Sequence, residues 1–373
     1  MKKVNLLSMF SFVLLSQGCG AEKLQSRSGY TPPKVTPEVV KNLLAKTLDD
    51  MVFVKGGSFT MGCDLGEDAL RKNLEKNEPQ VMKFLESPRG KQIRFWMVYG
   101  EENCSPRHKV TLDSFSIAKF EVSFREYDIF TQEAGLPFLR EGSLHSSKID
   151  KTARDDIREG DKGAITGWNQ AQRYCAWLAD KTGLNFSLPT EAQWEFAATS
   201  RGRYMPFATN TGYYDFGVNY YTANPYRSTE PSKDEYEENI IDSDEDEYKV
   251  NVAKYPPNPL GVYNMSGSMI EWAQDWYDPN YYKNSPERNP KGPKTGTTKV
   301  IRGGGGGGPQ THTVWVRYGW PILKTEAQVK REEKLFWNNK FKIDPESAPR
   351  DKVGMRCALN HPKPVTAKDL KVQ

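Results

Sequence analysis

Four cysteines constrain this chain more than any other feature. Cys63, Cys104, Cys175 and Cys357 all lie downstream of a start that reads MKKVNLLSMFSFVLLSQGCGAEK. Lys2 and Lys3 make a basic opening, and Leu6 to Leu15 form an apolar run too short to span a bilayer, the pattern of an export signal. Export takes a chain into an oxidising compartment, where an even set of thiols implies cross-links. Whatever the pairing, the fold must bring these distant positions together. Three pairings are open, and spacing alone selects none of them. No CxxC spacing suggests zinc.

The fifth cysteine has a different setting. Residues 1–19 end at Gly18-Cys19, which resembles a bacterial lipobox, so Cys19 is expected to carry lipid. The alternative is ordinary cleavage that leaves a free thiol. Gly20, rather than Asp, after the cysteine resembles lipoproteins sorted to the outer membrane. Residues 20–46, with Pro32, Pro33, Pro37 and the short helical pattern EVVKNLLAKTL, are expected to be a polar tether. The chain is thus expected on the periplasmic side of the envelope, held to the membrane by its anchor. A net charge of +4 with 27% charged residues is too weak a balance to argue for nucleic acid.

The main body is expected over 47–362, with a tail at 363–373. MVFVKGGSFTMGC predicts a strand and a turn. A charged insertion near 64–103 follows, helix-like in EDALRKNLEKNEPQVMKFLE, with Cys63 and Cys104 at its two ends. HKVTLDSFSIAKFEVSFREYDIF predicts strand, then helix from Ser123. In ITGWNQAQRYCAWLADKTG, Ala171, Tyr174, Cys175 and Leu178 share one helical face, and Gly183 stops the helix. SLPTEAQWEFAATS starts another, with Thr190 as N-cap and Gln193 as its capping-box partner. Gly, Asn, Tyr and Pro dominate from Tyr204 to Tyr282, predicting long, irregular, packed loops. Further charged insertions lie near 230–247 and 321–350, the first strongly acidic and suited to a basic partner.

Five stretches in fixed order then resemble one family. They are MVFVKGGSFTMGC, DSFSIAKFEVS, GWNQAQRYCAWLADKTGLNFSLPTEAQWEFAA, YPPNPLGVYNMSGSMIEWAQDWYD and VIRGG…VGMRCAL. Together they are similar to the formylglycine-generating enzyme, or sulfatase-modifying factor, family over about Met51 to Leu359. The resemblance implies an α+β, C-type-lectin-like domain with much irregular structure. It also implies site residues. NMSGSMIE matches a calcium loop of the family, with Asn264 and Glu271 binding through side chains and Gly267 and Met269 through carbonyls. Such hard oxygens suit calcium as a structural ion. A second calcium set falls on Asn224, Asp244 and Asp246 across the acidic insertion; the equal alternative is a solvated loop with no ion. Relatives with a helix-to-C-terminal-strand disulfide map it onto Cys175 and Cys357, which leaves Cys63 with Cys104.

The family's copper oxidases carry two cysteines with four residues between them, just after an RGGS[WFY] turn, because thiolates suit Cu(I). Here VIRGGGGGGPQTHTVWVRYGW keeps Arg302, Gly303 and Gly304, but the cysteine positions fall on Gly308 and Thr313. No cysteine stands between Cys175 and Cys357, so the two-thiol copper route does not carry over. The iron-dependent relatives need an HxxxHxE pattern, which His108, His145, His312 and His361 do not provide. The glycine run lacks a following GK[ST], so it is no phosphate loop. It reads instead as an active-site wall stripped of side chains. The weak catalytic candidates left are Arg302, His312 and Arg317, around Trp315.

The best-supported expectation is an exported, tethered, non-catalytic family member that binds a protein partner in the envelope. A more specific form is an immunity protein against a toxin delivered by a neighbouring cell. The alternatives are a periplasmic enzyme of altered oxidative or maturation chemistry, and a structural or assembly lipoprotein.

Overall fold

The computed structural model describes residues 34–63, 66–88, 102–139, 162–215, 218–220, 252–304, 309–330 and 353–370. Cys19, His145, Asn224, Asp244, Asp246 and Gly308 fall outside these residues, as do the acidic insertion and most of the 321–350 insertion.

Six α-helices lie wholly among the described residues, several of them at signals the sequence carries. α1 (Pro37–Asp49) starts at Thr36, whose hydroxyl accepts from the Val39 amide, with Pro37 at the first helical position. α2 (Glu67–Asn77) and α3 (Pro79–Glu86) make a helical pair inside the first insertion. α4 (Phe124–Glu133) begins at the Ser123 capping box with Glu126. α5 (Trp168–Thr182) ends at Gly183, which takes the left-handed conformation (φ 68°) that stops the helix. α6 (Glu191–Ala198) begins at Thr190, capped reciprocally with Gln193. Every residue of α6 is buried.

The strands among the described residues form three sheets. β1 (Met51–Val54), β4 (Phe115–Ala118), β5 (Phe186–Ser187) and β10 (Ala358–Leu359) pair antiparallel in the order β1-β4-β10-β5. β2 (Gly57–Met61) and β3 (His108–Leu112) pair antiparallel on their own. β6 (Ile270–Trp276), β7 (Thr298–Arg302), β8 (Tyr318–Pro321) and β9 (Val353–Gly354) run in the order β8-β7-β6-β9, with only β6–β9 parallel. The architecture is α+β, and long connections between 203 and 269 lack regular elements where described, as the Gly, Asn, Tyr and Pro content predicts.

Two disulfides close the frame. Cys63 joins Cys104 across 41 residues, at the base of the α2–α3 insertion, and Cys175 on α5 joins Cys357 across 182 residues. The longer loop constrains the unfolded chain by about 5 kcal/mol in the chain-entropy account, the shorter by about 4 kcal/mol.

The core corrects two expected boundaries. The tether was expected to reach residue 46, but Leu43, Leu44 and Leu48 of α1 are buried against α4 and α5. The helix is amphipathic, and its apolar face has no reason to stay in water. The tail expected from 363 also packs: Val365 is buried, and the Ala367 amide donates to Asp49 Oδ1 at the end of α1. The α2–α3 pair likewise sinks Leu70, Leu74, Val81, Met82 and Leu85 into the core it shares with Trp194 and Phe196 of α6. Among the described residues no helix is long and apolar enough to cross a membrane.

Candidate functional site

The turn after β7 lies at the centre of the molecule. Gly303 (φ 90°) and Gly304 (φ 156°) follow Arg302, and both conformations favour glycine. A side chain on Gly303 would come within 3.2 Å of the Met269 carbonyl and 3.3 Å of the Trp194 ring. One on Gly304 would lie 2.7 Å from His312 Cδ2. These glycines therefore serve close packing.

Arg302 and Arg317 were candidates for chemistry; the structure assigns them elsewhere. Both are wholly buried. Arg302 donates from Nη1 to Glu191 Oε1 at 2.7 Å and from Nη2 to Glu195 Oε2 at 2.6 Å. Arg317 grips Glu191 from Nε to Oε1 at 2.6 Å and from Nη2 to Oε2 at 2.8 Å. It also donates to the carbonyls of Asn103 and Asp278, and the Asn103 side chain donates back to the Arg317 carbonyl. Glu191 and Glu195 stand one helical turn apart on α6, so one helix presents two carboxylates to two guanidinium groups. Burial tends to raise the Glu191 carboxyl, but Arg317 and Arg302 outweigh it and hold its pKa at about 2. Asp275 completes the cluster, accepting the Glu191 amide at 2.9 Å at the start of α6. Burial and the Glu191 charge push Asp275 up to about 7. These arginines hold helix to sheet, and neither can reach a substrate outside the core.

His312 is placed differently. Its Nδ1 is hydrogen bonded with the Tyr220 hydroxyl, and both rings are buried. Tyr220 in turn packs over Gly267, where an added Cβ would meet its ring at 3.0 Å. Thr313, at the second cysteine position, is buried, and Trp315 packs against Tyr204.

The expected calcium loop is strongly bent. Asn264 (φ 56°), Gly267 (φ 79°) and Ser268 (φ 66°) are all left-handed, a shape that turns successive carbonyls in different directions. Glu271, however, is committed to Arg356: Nε donates to Oε2 and Nη2 to Oε1, each at 2.7 Å. The Trp194 indole donates to Oε2 as well, at 3.0 Å. A second carboxylate, not singled out in the sequence, stands beside it. Glu121 accepts the Asn264 side-chain amide at 3.4 Å on Oε2, and Arg356 Nη2 lies 3.7 Å away. Its Oε1 is buried and has no hydrogen-bond partner. The Asn264 amide also donates to the Val252 carbonyl at 2.8 Å, while no hydrogen bond to its Oδ1 is present among the described residues. The donors thus fit a hard cation, with Glu121 and Asn264 offering free oxygens and Glu271 already paired. Among the described residues no group of three or more His, Cys, Asp or Glu side chains is arranged to hold a metal, so any ion here depends on amide and carbonyl oxygens too. The second calcium set, Asn224, Asp244 and Asp246, lies outside the described residues.

The buried carboxylates are what the sequence reading missed. A signal existed: EAQWEFAA places Glu191 and Glu195 in a helix with apolar residues on every side, so no face is left for solvent.

Comparison with known proteins agrees with this architecture. The family described as "Sulfatase-modifying factor enzyme 1-like domain" matches residues 36–361. A serine/threonine-protein kinase pkn1 from Chlamydia pneumoniae is 28% identical over 243 residues, covering 62% of this chain and 34% of that one. A formylglycine-generating enzyme from Streptomyces coelicolor is 28% identical over 193 residues, covering 51% and 57%. The chain therefore spans less than two thirds of the length of either protein. A formylglycine-generating enzyme from Mus musculus is 24% identical over 335 residues, covering 78% and 76%. Among solved structures, that of PvdO from Pseudomonas aeruginosa superposes with a TM-score of 0.53 at 20% identity, covering 88% of this chain and 99% of that one.

Proposed function

Since this chain belongs to the sulfatase-modifying factor family, yet carries glycine and threonine where the family's copper oxidases carry thiols, we propose that it is a non-catalytic member that binds a protein partner in the bacterial envelope. The observation that carries this reading is the fate of Arg302 and Arg317. Of the three side chains near the lost thiol positions that could have supported other chemistry, Arg302 and Arg317 are tied to Glu191 and Glu195 inside the core, and only His312 is placed otherwise. What remains for function is a rigid, doubly cross-linked frame with charged insertions, a common basis for binding. The lipobox-like Cys19 would hold that frame to a membrane, with outer-membrane sorting following from Gly20. A structural calcium at the Asn264 loop belongs to the same reading.

The specific form of the proposal is an immunity protein that captures a toxin delivered by a neighbouring cell. Affinity capture from envelope extracts, with calcium present and then chelated, tests it. One stoichiometric secreted toxin, together with loss of protection in cells lacking this chain, supports immunity. Cell-wall or secretion-machinery partners point instead to an assembly role. No stable partner, with turnover of a small molecule, sinks the reading.

The hydrogen-bonded Tyr220–His312 pair favours a second reading, a periplasmic enzyme of altered oxidative or maturation chemistry. If it holds, Tyr220→Phe and His312→Ala each abolish turnover while leaving the unfolding temperature within a few degrees of the parent chain.

A further inference from the structure

The space around Tyr220 and His312 is built for them. Both rings are buried, with centroids 5.9 Å apart, and the phenol oxygen is hydrogen bonded with Nδ1. Two glycines make the room. A Cβ on Gly267 would lie 3.0 Å from the Tyr220 ring and 3.1 Å from its hydroxyl, and one on Gly304 would lie 2.7 Å from His312 Cδ2. Both glycines take positive φ, 79° and 156°, which other residues rarely adopt. Tyr214 and Phe207 pack around Tyr220, with ring centroids at 5.5 and 6.2 Å.

The base on its hydroxyl sets Tyr220 apart from two other buried tyrosines. A phenol gives up an electron readily only when its proton leaves with it, because the oxidised phenol is a strong acid. The hydrogen-bond partner must therefore be able to keep a proton. Tyr127 donates to the Gln170 carbonyl, which cannot. Tyr282 donates to Glu191 at 3.2 Å. Burial raises that carboxyl, but Arg317 and Arg302 outweigh it and hold it at about 2, too weak a base. An imidazole, with an ordinary pKa of about 6.5, accepts a proton at neutral pH. Burial adds a second property, since a radical formed on Tyr220 is kept from water and from rings on other molecules.

We propose that Tyr220 and His312 form a proton-coupled redox pair. An outer-sphere one-electron oxidant takes one electron from the Tyr220 ring. The phenol O–H bond breaks, its proton passes to His312 Nδ1, and a neutral tyrosyl radical then faces an imidazolium. The oxidant is reduced by one electron, and return of that electron reverses both transfers. The electron crosses packed protein, so the oxidant need not enter the core. This inference rests on the second reading of the proposed function and deepens it, by naming the kind of oxidation the pair performs. It is measured without turnover, so the two can fail separately.

The experiment mixes the full chain with hexachloroiridate(IV), freezes samples at increasing delays and records the electron paramagnetic resonance of tyrosyl radicals. Exposed rings give short-lived signals in every variant, so the persistent component is the readout. The parent chain should show it, and its formation should slow in D2O because a proton moves with the electron. Tyr220→Phe should lose it. His312→Gln keeps the ring but removes the base, and should form the radical about 100-fold more slowly. Unfolding temperatures close to the parent's show that both variants are folded. If Tyr220→Phe does not accumulate, the His312→Gln rate and the D2O effect on the parent decide. A parent chain without the persistent radical overturns the proposal, as does a Tyr220→Phe chain that retains it or a His312→Gln chain oxidised at the parent's rate. A persistent radical without turnover of a small molecule sinks the enzyme reading and leaves the pair standing. Turnover without the radical does the reverse.

Discussion

Two buried ion clusters lie within one domain, and they are built on different accounts of charge. Around α6, Arg302 and Arg317 face Glu191 and Glu195, two of each sign, with Arg302 at hydrogen-bond distance from both carboxylates and Arg317 from Glu191. Around β10, Arg356 alone faces Glu271 and Glu121, and only one of these is close. The first cluster is balanced in charge, although Arg302 Nε has no hydrogen-bond partner, and it fixes α6 against β7 and the segment that follows the glycine turn. The second has a carboxylate to spare. Buried ions are tolerated best when paired and hydrogen bonded, so the two clusters should differ in how much each carboxylate contributes to stability.

The comparison breaks most visibly at Glu191. Replacing it with Ala leaves two guanidinium groups buried, and the loss should be about 3–5 kcal/mol in urea unfolding at pH 7. Acid probes the same contact without mutation. The Glu191 pKa lies at about 2 in the folded chain, against 4.5 for the free group. A depressed folded pKa means stability that is present above 4.5 and lost as the pH falls toward 2. The parent chain should therefore lose stability across that window, and Glu191→Gln should lack this component. A variant that unfolds with the parent's acid slope would show that Glu191 is not what Arg302 and Arg317 require.

The effect at Arg356 should be smaller. Glu271→Gln removes the bidentate partner but leaves Glu121 nearby to take up the arginine, so we expect about 1–3 kcal/mol at pH 7. Equal losses for Glu191→Ala and Glu271→Gln would erase the distinction between the clusters. A double variant sharpens it: Glu121→Gln combined with Glu271→Gln strands Arg356 and should cost more than the sum of the single changes, measured in the same unfolding series.

Local signals in the sequence sufficed for elements and failed for clusters. Thr190 with Gln193, Ser123 before α4 and Gly183 after α5 lie within a few residues of what they control, so a linear reading places them correctly. The two disulfides were reachable through family resemblance alone, since spacing left three pairings open. Glu191 meets Arg302 111 residues away and Arg317 126 residues away, a distance no local pattern spans. Glu121 was harder still. In FEVSFREY it resembles an ordinary charged residue between apolar neighbours, and only the fold brings it to Asn264, 143 residues on. Glu271 differs again: the resemblance implies a metal role for it, and the fold adds an arginine partner 85 residues on that no local pattern announces.

Asp275 offers the mildest test of the balanced cluster. Its Oδ2 accepts the first amide of α6, which an asparagine oxygen can also do. Asp275→Asn should therefore change stability by less than about 1 kcal/mol below pH 3.8, where the carboxyl is neutral in both the folded and the unfolded chain. The difference should appear on raising the pH. Burial and the adjacent Glu191 charge lift the folded pKa to about 7, against 3.8 for the free group. A raised folded pKa gives stability that is complete below 3.8 and is lost as the pH climbs through 7. Between those limits the parent chain should decline by no more than about 1.4 kcal/mol per pH unit, and the asparagine variant should stay level. By pH 7.5 the variant should then be the more stable of the two. If both chains decline together, Asp275 is ionised throughout, held by the helix amide and by Lys299 on the neighbouring strand, and the α6 cluster balances at three charges of each sign rather than two.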